Sequence, residues 1–278
     1  MQGTAGPRAV LAARSIASSL RLPVDDVIVL HESNKLSLRL VPCEVMARVA
    51  PVTEQVALFE IELAQQLAAV GSPVAALEPR VEPRVYERDD FAVTLWTYYE
   101  PVGPEVVPPA EYADALERLH AGMRKLDFPT PHFTDRVEDA HQLLASPERT
   151  PELADDDREL LITTLRRLEQ AVLERRPAEQ LLHGEPHPGN LLNTKDGLLF
   201  IDLETCCRGP IEFDLAHAPD EVSEHYPNVD HTLLRDCRLL MLAMITTWRW
   251  DKADDFPNGR HLATEWLTRL RTALDANN

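Results

Sequence analysis

Apolar residues recur with two different periods along the first hundred positions. Helical spacing, with apolar residues three and four apart, runs from the start to about residue 21 and again over residues 53–70. Short apolar runs bounded by polar or proline residues predict strands in this region. These runs lie at residues 27–30, 36–40, 44–49, 81–86 and 91–98.

The remainder of the chain has mainly helical spacing. A stretch rich in proline and glycine, residues 101–109, separates it from the strands, and we place a domain boundary there, between residues 1–99 and residues 100–278. Helices are predicted after this boundary at residues 109–123, 136–145, 155–175, 230–250 and 261–274.

Residues 181–214 carry the densest group of chemically useful side chains. The segment reads His-Gly-Glu-Pro-His-Pro-Gly-Asn from residue 183 to residue 190, and two short apolar runs then flank Lys-Asp-Gly at residues 195–197. Such a turn predicts a hairpin, with either Lys-Asp or Asp-Gly at its tip. Antiparallel pairing would bring Asn190 close to Asp202, with the Glu185 loop over the same end. An amide oxygen beside a carboxylate suits Mg²⁺.

Arg48 interrupts the apolar strand at residues 44–49 and needs a partner, because a cation on a hydrophobic strand is costly without one. Glu60 lies nearer than Glu62 to the apolar stripe of the predicted helix at residues 53–70. We therefore predict an ion pair between Arg48 and Glu60.

Charge and cysteine content narrow the classes of partner and compartment. The 278 residues include 28 basic and 46 acidic side chains, for a net charge of −18, which argues against nucleic acid or an anionic membrane as a partner. No apolar run is long enough to span a bilayer. The four cysteines show no disulfide framework, so we expect reduced thiols and a cytoplasmic location.

Zinc chemistry is the main rival for the same residues. His183 and Glu185 have the spacing of a deaminase motif, but Cys206 and Cys207 are adjacent and do not provide its Cys-x-x-Cys pair. Gly184 and the prolines after it also preclude the helix that a zincin motif requires.

The motif at residues 183–214 resembles that of the aminoglycoside phosphotransferase and choline kinase-like families. Their pattern is His-Gly-Asp-x-His-x-x-Asn, a hairpin, Ile-Asp-x-Glu, and Phe-Asp-Leu-Ala, and this chain has nearly all of it in order. One departure is Glu185, where those families have Asp; another is Arg48, where a kinase-like fold has Lys. The resemblance implies an α+β, two-lobed protein-kinase-like fold. Its small N-terminal lobe would be mainly antiparallel β with one key helix, and its larger C-terminal lobe mainly helical.

The resemblance also implies a reaction, the transfer of a phosphoryl group from ATP or GTP to a small-molecule hydroxyl with Mg²⁺ as cofactor. Glu185 would orient the acceptor hydroxyl and accept its proton, and Asn190 and Asp202 would hold the metal. Arg48, ordered by Glu60, would neutralise phosphate charge. The remaining candidates are Ser33, Asn34 and Tyr98 for the nucleotide, His187 for phosphate contact or simple packing, and His183, Glu204 and Asp214 for support of the site. Glu204, two residues after Asp202, would lie on the same strand and the same face.

Two questions stay open at this point. A nucleotide-binding pseudokinase with a regulatory or scaffolding role is the main alternative, because the Glu185 departure changes the reach of the catalytic carboxylate, and other chemistry such as nucleotidyl transfer is a lesser one. The acceptor is also open, although an amine-bearing molecule would suit acidic residues of the C-terminal lobe. These residues are Asp220, Glu221, Glu224, Asp251, Asp254 and Asp255. Nucleotide preference and oligomeric state are not fixed by the sequence.

Overall fold

A computed structural model describes residues 5–32, 35–53, 56–102 and 106–276. Its helices are α1 Ala5–Ser19, α2 Val56–Ala69, α3 Pro109–Met123, α4 Phe133–Leu144, α5 Asp155–Glu174, α6 Ile211–His217, α7 Val222–His225, α8 His231–Trp248 and α9 Gly259–Asp275. Its strands are β1 Val24–Glu32, β2 Leu36–Pro42, β3 Val45–Pro51, β4 Tyr86–Arg88, β5 Phe91–Thr97, β6 Gln180–Leu182, β7 Leu191–Thr194, β8 Gly197–Phe200 and β9 Cys207–Gly209. This mixture of an antiparallel sheet and a mainly helical remainder confirms the predicted fold class.

The described residues fall into two compact units. The first contains residues up to 108 together with 115–128 and 189–205. The second contains residues 109–114, 129–188 and those from 206 onward. Two segments from later in the chain therefore belong to the same unit as the N-terminal sheet.

A five-stranded antiparallel sheet in the order β1-β2-β3-β5-β4 forms the framework of the first unit. Apolar side chains alternate along β2 and β3, so that one face of the sheet is buried together with α1. The other face carries Ser37, Arg48 and Thr94, which are cross-strand neighbours. The sheet therefore has one apolar face that packs in the core and one face that carries a row of polar side chains.

The β7–β8 hairpin also belongs to the first unit. Its register pairs Thr194 with Gly197, which leaves Lys195 and Asp196 at the tip. Gly197 has φ +114°, a value that a side chain would strain. At the end of β8, the amide of Phe200 donates to the carbonyl of Pro73 at 2.8 Å, which links the hairpin to the segment that follows α2.

Helices α4, α5, α6, α8 and α9 dominate the second unit, with the short β6–β9 pair beside them. Helices α6 and α7 are not among the helices predicted from the sequence. Both are short, seven and four residues, so neither shows a full amphipathic period. Among the described residues, no helix is both long enough and apolar enough to cross a membrane.

Two local predictions are wrong. Of the strand expected at residues 81–86, only Tyr86 lies in a strand, at the start of β4, because Pro83 lacks the amide that a ladder requires. Asp202 and Glu204 were expected to share a strand, but β8 ends at Phe200 and a 3-10 turn follows at Leu203–Thr205.

Candidate functional site

Asn190 and Asp202 lie at the open end of the β7–β8 hairpin. The amide of Ile201 donates to the Asn190 carbonyl at 3.0 Å, so Asn190 sits opposite the residue that precedes Asp202. Asp202 has φ +65°, the left-handed region, which costs a non-glycine residue about 1 kcal/mol. This backbone turn ends the strand and directs the Asp202 carboxylate towards Arg48.

Five charged side chains of the first unit alternate in sign, and we call this set the ion-pair chain. It consists, in spatial order, of Glu204, Lys35, Glu60, Arg48 and Asp202. Glu60 uses both carboxylate oxygens, with Oε1 2.6 Å from Nη1 of Arg48 and Oε2 3.1 Å from Nζ of Lys35. Nη2 of Arg48 donates to Oδ1 of Asp202 at 2.6 Å, and Lys35 also contacts Glu204. Arg48 and Glu60, predicted to pair, are thus joined directly.

Arg48 remains fully charged in this setting. Burial alone would lower the pKa of its guanidinium, but the carboxylates of Glu60 and Asp202 raise that pKa above its ordinary value. The pKa of the Glu204 carboxyl is raised, first by burial and then by the nearby Asp202 charge, with Lys35 opposing both. The ion-pair chain therefore holds its two cations firmly between carboxylates.

The same residues satisfy the donor requirements of a hard divalent cation. One oxygen from each of Glu60, Asp202 and Glu204 can be chosen so that all three lie within 4.8 Å of one another. Asn190, 8% exposed, adds an amide oxygen to this unit. Magnesium prefers carboxylate and carbonyl oxygens and is commonly held by few protein groups, so the donor set fits that ion.

The loop that carries Glu185 is anchored within the second unit by Asp214. This fully buried carboxylate accepts hydrogen bonds from the amides of His183 and Gly184 at 2.9 and 2.8 Å. Gly184 has φ +87°, which lets the backbone turn so that consecutive amides point at one carboxylate. The fixed backbone then determines where the Glu185 side chain begins.

Replacing Asp214 with Ala should lower the free energy of unfolding by about 3 kcal/mol, because two buried amides lose a charged acceptor. Urea unfolding of the purified protein would measure the change. Glu224→Ala, which removes an exposed carboxylate from the same unit, is the matched control and should change stability by less than about 0.5 kcal/mol. Equal stability of the two variants would contradict the anchoring role of Asp214.

Arg136 on α4 holds the Glu185 carboxylate. Its guanidinium contacts Glu185, donates to the Gly184 carbonyl at 3.1 Å and lies 5.0 Å from the ring centre of Trp248. Burial is the largest single effect and by itself would raise the pKa of Glu185, but the Arg136 charge, the Arg136 hydrogen bond and the nearby histidines together hold that pKa below the ordinary glutamate value. Glu185 is therefore an ionised and oriented carboxylate at neutral pH.

Two histidines of the second unit lie near this loop. The amide of His187 donates to the Glu185 carbonyl at 2.8 Å, which tightens the turn. Burial lowers the pKa of His217 to about 4, so its ring is neutral at physiological pH. His217 therefore adds no charge beside Glu185 at that pH.

A cavity of about 410 Å³ opens in the second unit. Helix α4, the end of α8 and the segment after α8 line it through Asp139, Gln142, Leu143, Arg149, Trp248, Asp251, Ala253 and Asp254. Three carboxylates and one guanidinium line this space, which makes its wall net acidic. Since Trp248 also stacks on Arg136, the cavity adjoins the group that holds Glu185.

Ser33, Asn34 and Tyr98 were predicted to contact the nucleotide. Ser33 and Asn34 lie outside the described residues. Tyr98 stacks under Arg39, with the guanidinium carbon 4.1 Å from the ring centre, and its amide donates to the Glu44 carbonyl at 3.3 Å. Its part in nucleotide binding stays a prediction.

Of the acidic residues considered for an amine, only some line the cavity. Asp251 and Asp254 do, whereas Asp220, Glu221, Glu224 and Asp255 do not. Asp139 lines it as well and was not among the candidates. Asp139 follows Arg136 by about one turn of α4. The sequence would therefore have indicated Asp139 only if Arg136 had first been assigned to the site.

Two residues of the site, Lys35 and Arg136, are not among those predicted from the sequence. Lys35 lies between the strands predicted at residues 27–30 and 36–40, yet it is 6% exposed and belongs to the ion-pair chain. The sequence did offer one signal for this residue. Lys35 lies two residues before Ser37, alternate residues of a strand share a face, and Ser37 pairs with Arg48. Arg136 gave a weaker signal, because a basic residue on an amphipathic helix usually faces water.

Comparison with known proteins places the chain among phosphotransferases. A family model described as the phosphotransferase enzyme family matches residues 27–273. No curated protein sequence matches the chain.

Solved structures similar to the chain share its fold at low identity. Choline kinase LicA from Streptococcus pneumoniae superposes with a TM-score of 0.68 and 16% identity, over 95% of this chain and 98% of that one. Amicoumacin kinase hAmiN, solved with AMP-PNP, Ca²⁺ and Ami, gives 0.67 and 11% identity, over 93% of each chain. A spectinomycin phosphotransferase solved with ADP and spectinomycin gives 0.63 and 12%, over 94% of this chain and 97% of that one.

Proposed function

The chain belongs to the phosphotransferase enzyme family, and from this premise we propose that it transfers the γ-phosphate of ATP or GTP to a hydroxyl of a small, amine-bearing molecule. The observation that carries the proposal is the bridge formed by Arg48, which contacts Glu60 on one side and Asp202 on the other. The bridge places a fixed cation beside a carboxylate that suits a metal ion, and phosphoryl transfer needs both positive charges near the phosphates. Similar structures solved with AMP-PNP or ADP support the use of a nucleotide.

In the first unit, Arg48 and Asp202 would divide the work of binding the nucleotide phosphates. Asp202 and Asn190 would hold Mg²⁺, which supplies charge neutralisation to the β- and γ-phosphates when bound. Arg48 would add a guanidinium whose orientation is fixed by Glu60, and Glu204 would support Asp202 from the following turn. Most of the catalysis assigned to these residues is positioning and electrostatic stabilisation.

In the second unit, Glu185 would orient the acceptor hydroxyl and take its proton. Arg136 would compensate for the extra methylene of Glu relative to the Asp of the family pattern, since it holds the end of the longer side chain. His183 and Asp214 would fix the loop backbone. His187 would contact a phosphate or tighten the loop.

The cavity beside Trp248 supports an acceptor that carries a positive charge. Arg149 contacts Asp251 and Nη1 of Arg249 lies 2.9 Å from Asp254, so both of these carboxylates already have cationic partners. Asp139 is exposed and has no ion-pair partner in the part of the chain that the structure describes. An ammonium group could therefore bind Asp139 while its alkyl part contacts the Trp248 ring.

A matched pair of acceptors tests this proposal: an amino alcohol and its isostere with carbon in place of nitrogen. We expect ADP or GDP release with both, and a kcat/KM at least about fivefold higher for the amine. Asp139→Asn should raise KM for the amine about threefold to fivefold and leave the isostere unchanged. Glu148→Gln, an exposed change outside the cavity, is the control. Equal use of both acceptors by the wild type would contradict an amine-bearing substrate.

The ion pair between Arg48 and Asp202 also favours a second candidate, a nucleotide-binding pseudokinase. A guanidinium on the metal-binding carboxylate competes with the metal, and Glu185 departs from the family Asp. Saturable nucleotide binding without turnover on any amine or neutral alcohol tested would support the pseudokinase.

A further inference from the structure

The ammonium group of Lys35 is buried, and neighbouring carboxylates are needed to compensate its charge. Its side chain is 7% exposed and lies between Glu60, 3% exposed, and Glu204, 22% exposed. A buried ammonium is costly unless carboxylates compensate it. Two such carboxylates are present, so its position requires an explanation beyond turn formation.

The side chains of Lys35 and Arg48 lie close together, because both contact Glu60. Ser37 is the cross-strand partner of Arg48, and Lys35 lies two residues before Ser37, on the same side of the sheet. The two cations share Glu60, one on each carboxylate oxygen. Two cations on one carboxylate can each bind an oxygen of the same polyanion, and a divalent cation bound with that polyanion would offset the outer carboxylates of Asp202 and Glu204.

The two cations differ in how they can respond to a new anion. Both terminal nitrogens of Arg48 are already used, one for Glu60 and one for Asp202. The second partner of Lys35, Glu204, is the more exposed of its two carboxylates, so an incoming anion can compete there. An ammonium on a flexible stem can exchange Glu204 for a phosphate oxygen and still keep Glu60.

We propose that Lys35 is a second phosphate-binding cation of the nucleotide site, binding the polyphosphate beside Arg48. This inference rests on the proposed phosphotransferase function and extends it by one binding residue. In this arrangement Arg48 keeps a fixed position between Glu60 and Asp202. The ammonium group of Lys35 is the one that moves, from Glu204 to a phosphate oxygen. This role also explains why a basic residue at the start of β2 is buried.

The test compares the affinity of a nucleoside triphosphate with that of its nucleoside. Kd values for Mg-ATP and adenosine, or Mg-GTP and guanosine if the wild type prefers them, are measured by calorimetry for the wild type and Lys35→Met. We expect Lys35→Met to raise Kd for the triphosphate at least tenfold and to leave Kd for the nucleoside within twofold. Lys35→Arg should recover most of the triphosphate affinity. Lys195→Met, at the exposed tip of the hairpin in the same unit, should match the wild type.

Each contrary result identifies what has failed. A wild type that binds no nucleotide overturns the proposed function itself and the inference with it. A wild type that binds, with Lys35→Met unchanged for both ligands, overturns the inference alone. Equal losses for triphosphate and nucleoside would show a purely structural lysine and also overturn it. Lys35→Gln, which can still donate hydrogen bonds to Glu60 and Glu204, provides the same comparison if Lys35→Met does not fold.

Discussion

Replacing Glu185 with Gln should lower kcat by about 10²- to 10⁴-fold, the range typical for loss of a general base. The amide keeps the size of the side chain and can still form hydrogen bonds, but it has no carboxylate to accept the proton of the acceptor hydroxyl. Affinity for the Mg-nucleotide should be unchanged, because Arg48, Asn190 and Asp202, the residues assigned to the metal and to phosphate charge, lie in the first unit and are not altered. Steady-state kinetics with a saturating acceptor and calorimetry with the nucleotide would measure the two effects separately.

The length of the Glu185 side chain provides a second variant of the same test. Glu185→Asp restores the residue of the family pattern but withdraws the carboxylate from Arg136 by about one ångström, a displacement that can cost about 10²-fold in rate. Full turnover by Glu185→Gln would remove the general-base assignment. Full turnover by Glu185→Asp would remove the argument that Arg136 is matched to a longer side chain.

The pH profile tests the same contact. The neighbouring positive groups, Arg136 foremost, together outweigh burial and keep the pKa of Glu185 below that of an ordinary glutamate, so the acidic limb of kcat/KM should lie at a lower pH than for an ordinary glutamate. Because this pKa is depressed on folding, the contact stabilises the protein at any pH above the glutamate pKa of the unfolded chain, and that stability is lost as pH falls through the folded pKa. Arg136→Gln leaves burial dominant and should move the acidic limb to higher pH, whereas Arg136→Lys should move it less.

Replacing Asp202 with Ala should abolish the stabilisation of the protein by Mg-nucleotide. For the wild type, a nucleotide at 100 times its Kd adds about 2.7 kcal/mol to the free energy of unfolding. The variant loses the proposed metal ligand and one partner of Arg48, so its thermal shift at the same concentration should be close to zero. Differential scanning fluorimetry with Mg-ATP and Mg-GTP would measure this difference.

Two control variants separate charge from backbone strain in this experiment. Asp202→Asn keeps a side chain that tolerates φ +65° and removes only the charge, so it should lose the shift as well. Asp196→Ala removes an exposed carboxylate at the hairpin tip and should keep the full shift. A full shift in both Asp202 variants would rule out its metal role.

Most of the fold could be predicted because the apolar pattern is local. Along β2 and β3 every second side chain is buried, and the predicted strands overlap the observed ones. Helix α3 has the predicted bounds, Pro109–Met123, because proline marks its start and the apolar stripe is regular. The strand predicted at residues 81–86 failed for a local reason too, since its apolar residues were counted without their neighbouring prolines.

The candidate site was less predictable because long side chains join segments far apart in sequence. Arg48 and Glu60 could be paired, since the two lie only 12 residues apart on adjacent elements. Lys35 was missed because its partner Glu204 is 169 residues away, and nothing local marks a polar residue beside a turn as buried. Arg136 meets Glu185 across 49 residues, and helical periodicity gives no information about that contact.

The order in which a ribosome makes these residues has a consequence for the ion-pair chain. Lys35, Arg48 and Glu60 emerge first, and together they carry one excess positive charge. Asp202 follows Arg48 by 154 positions. Until that late segment is synthesised, two cations share a single carboxylate, and the first unit lacks the β7–β8 hairpin. Completion of the first unit must therefore wait for much of the second to be translated, so the two units are not made as separate, consecutive folding events.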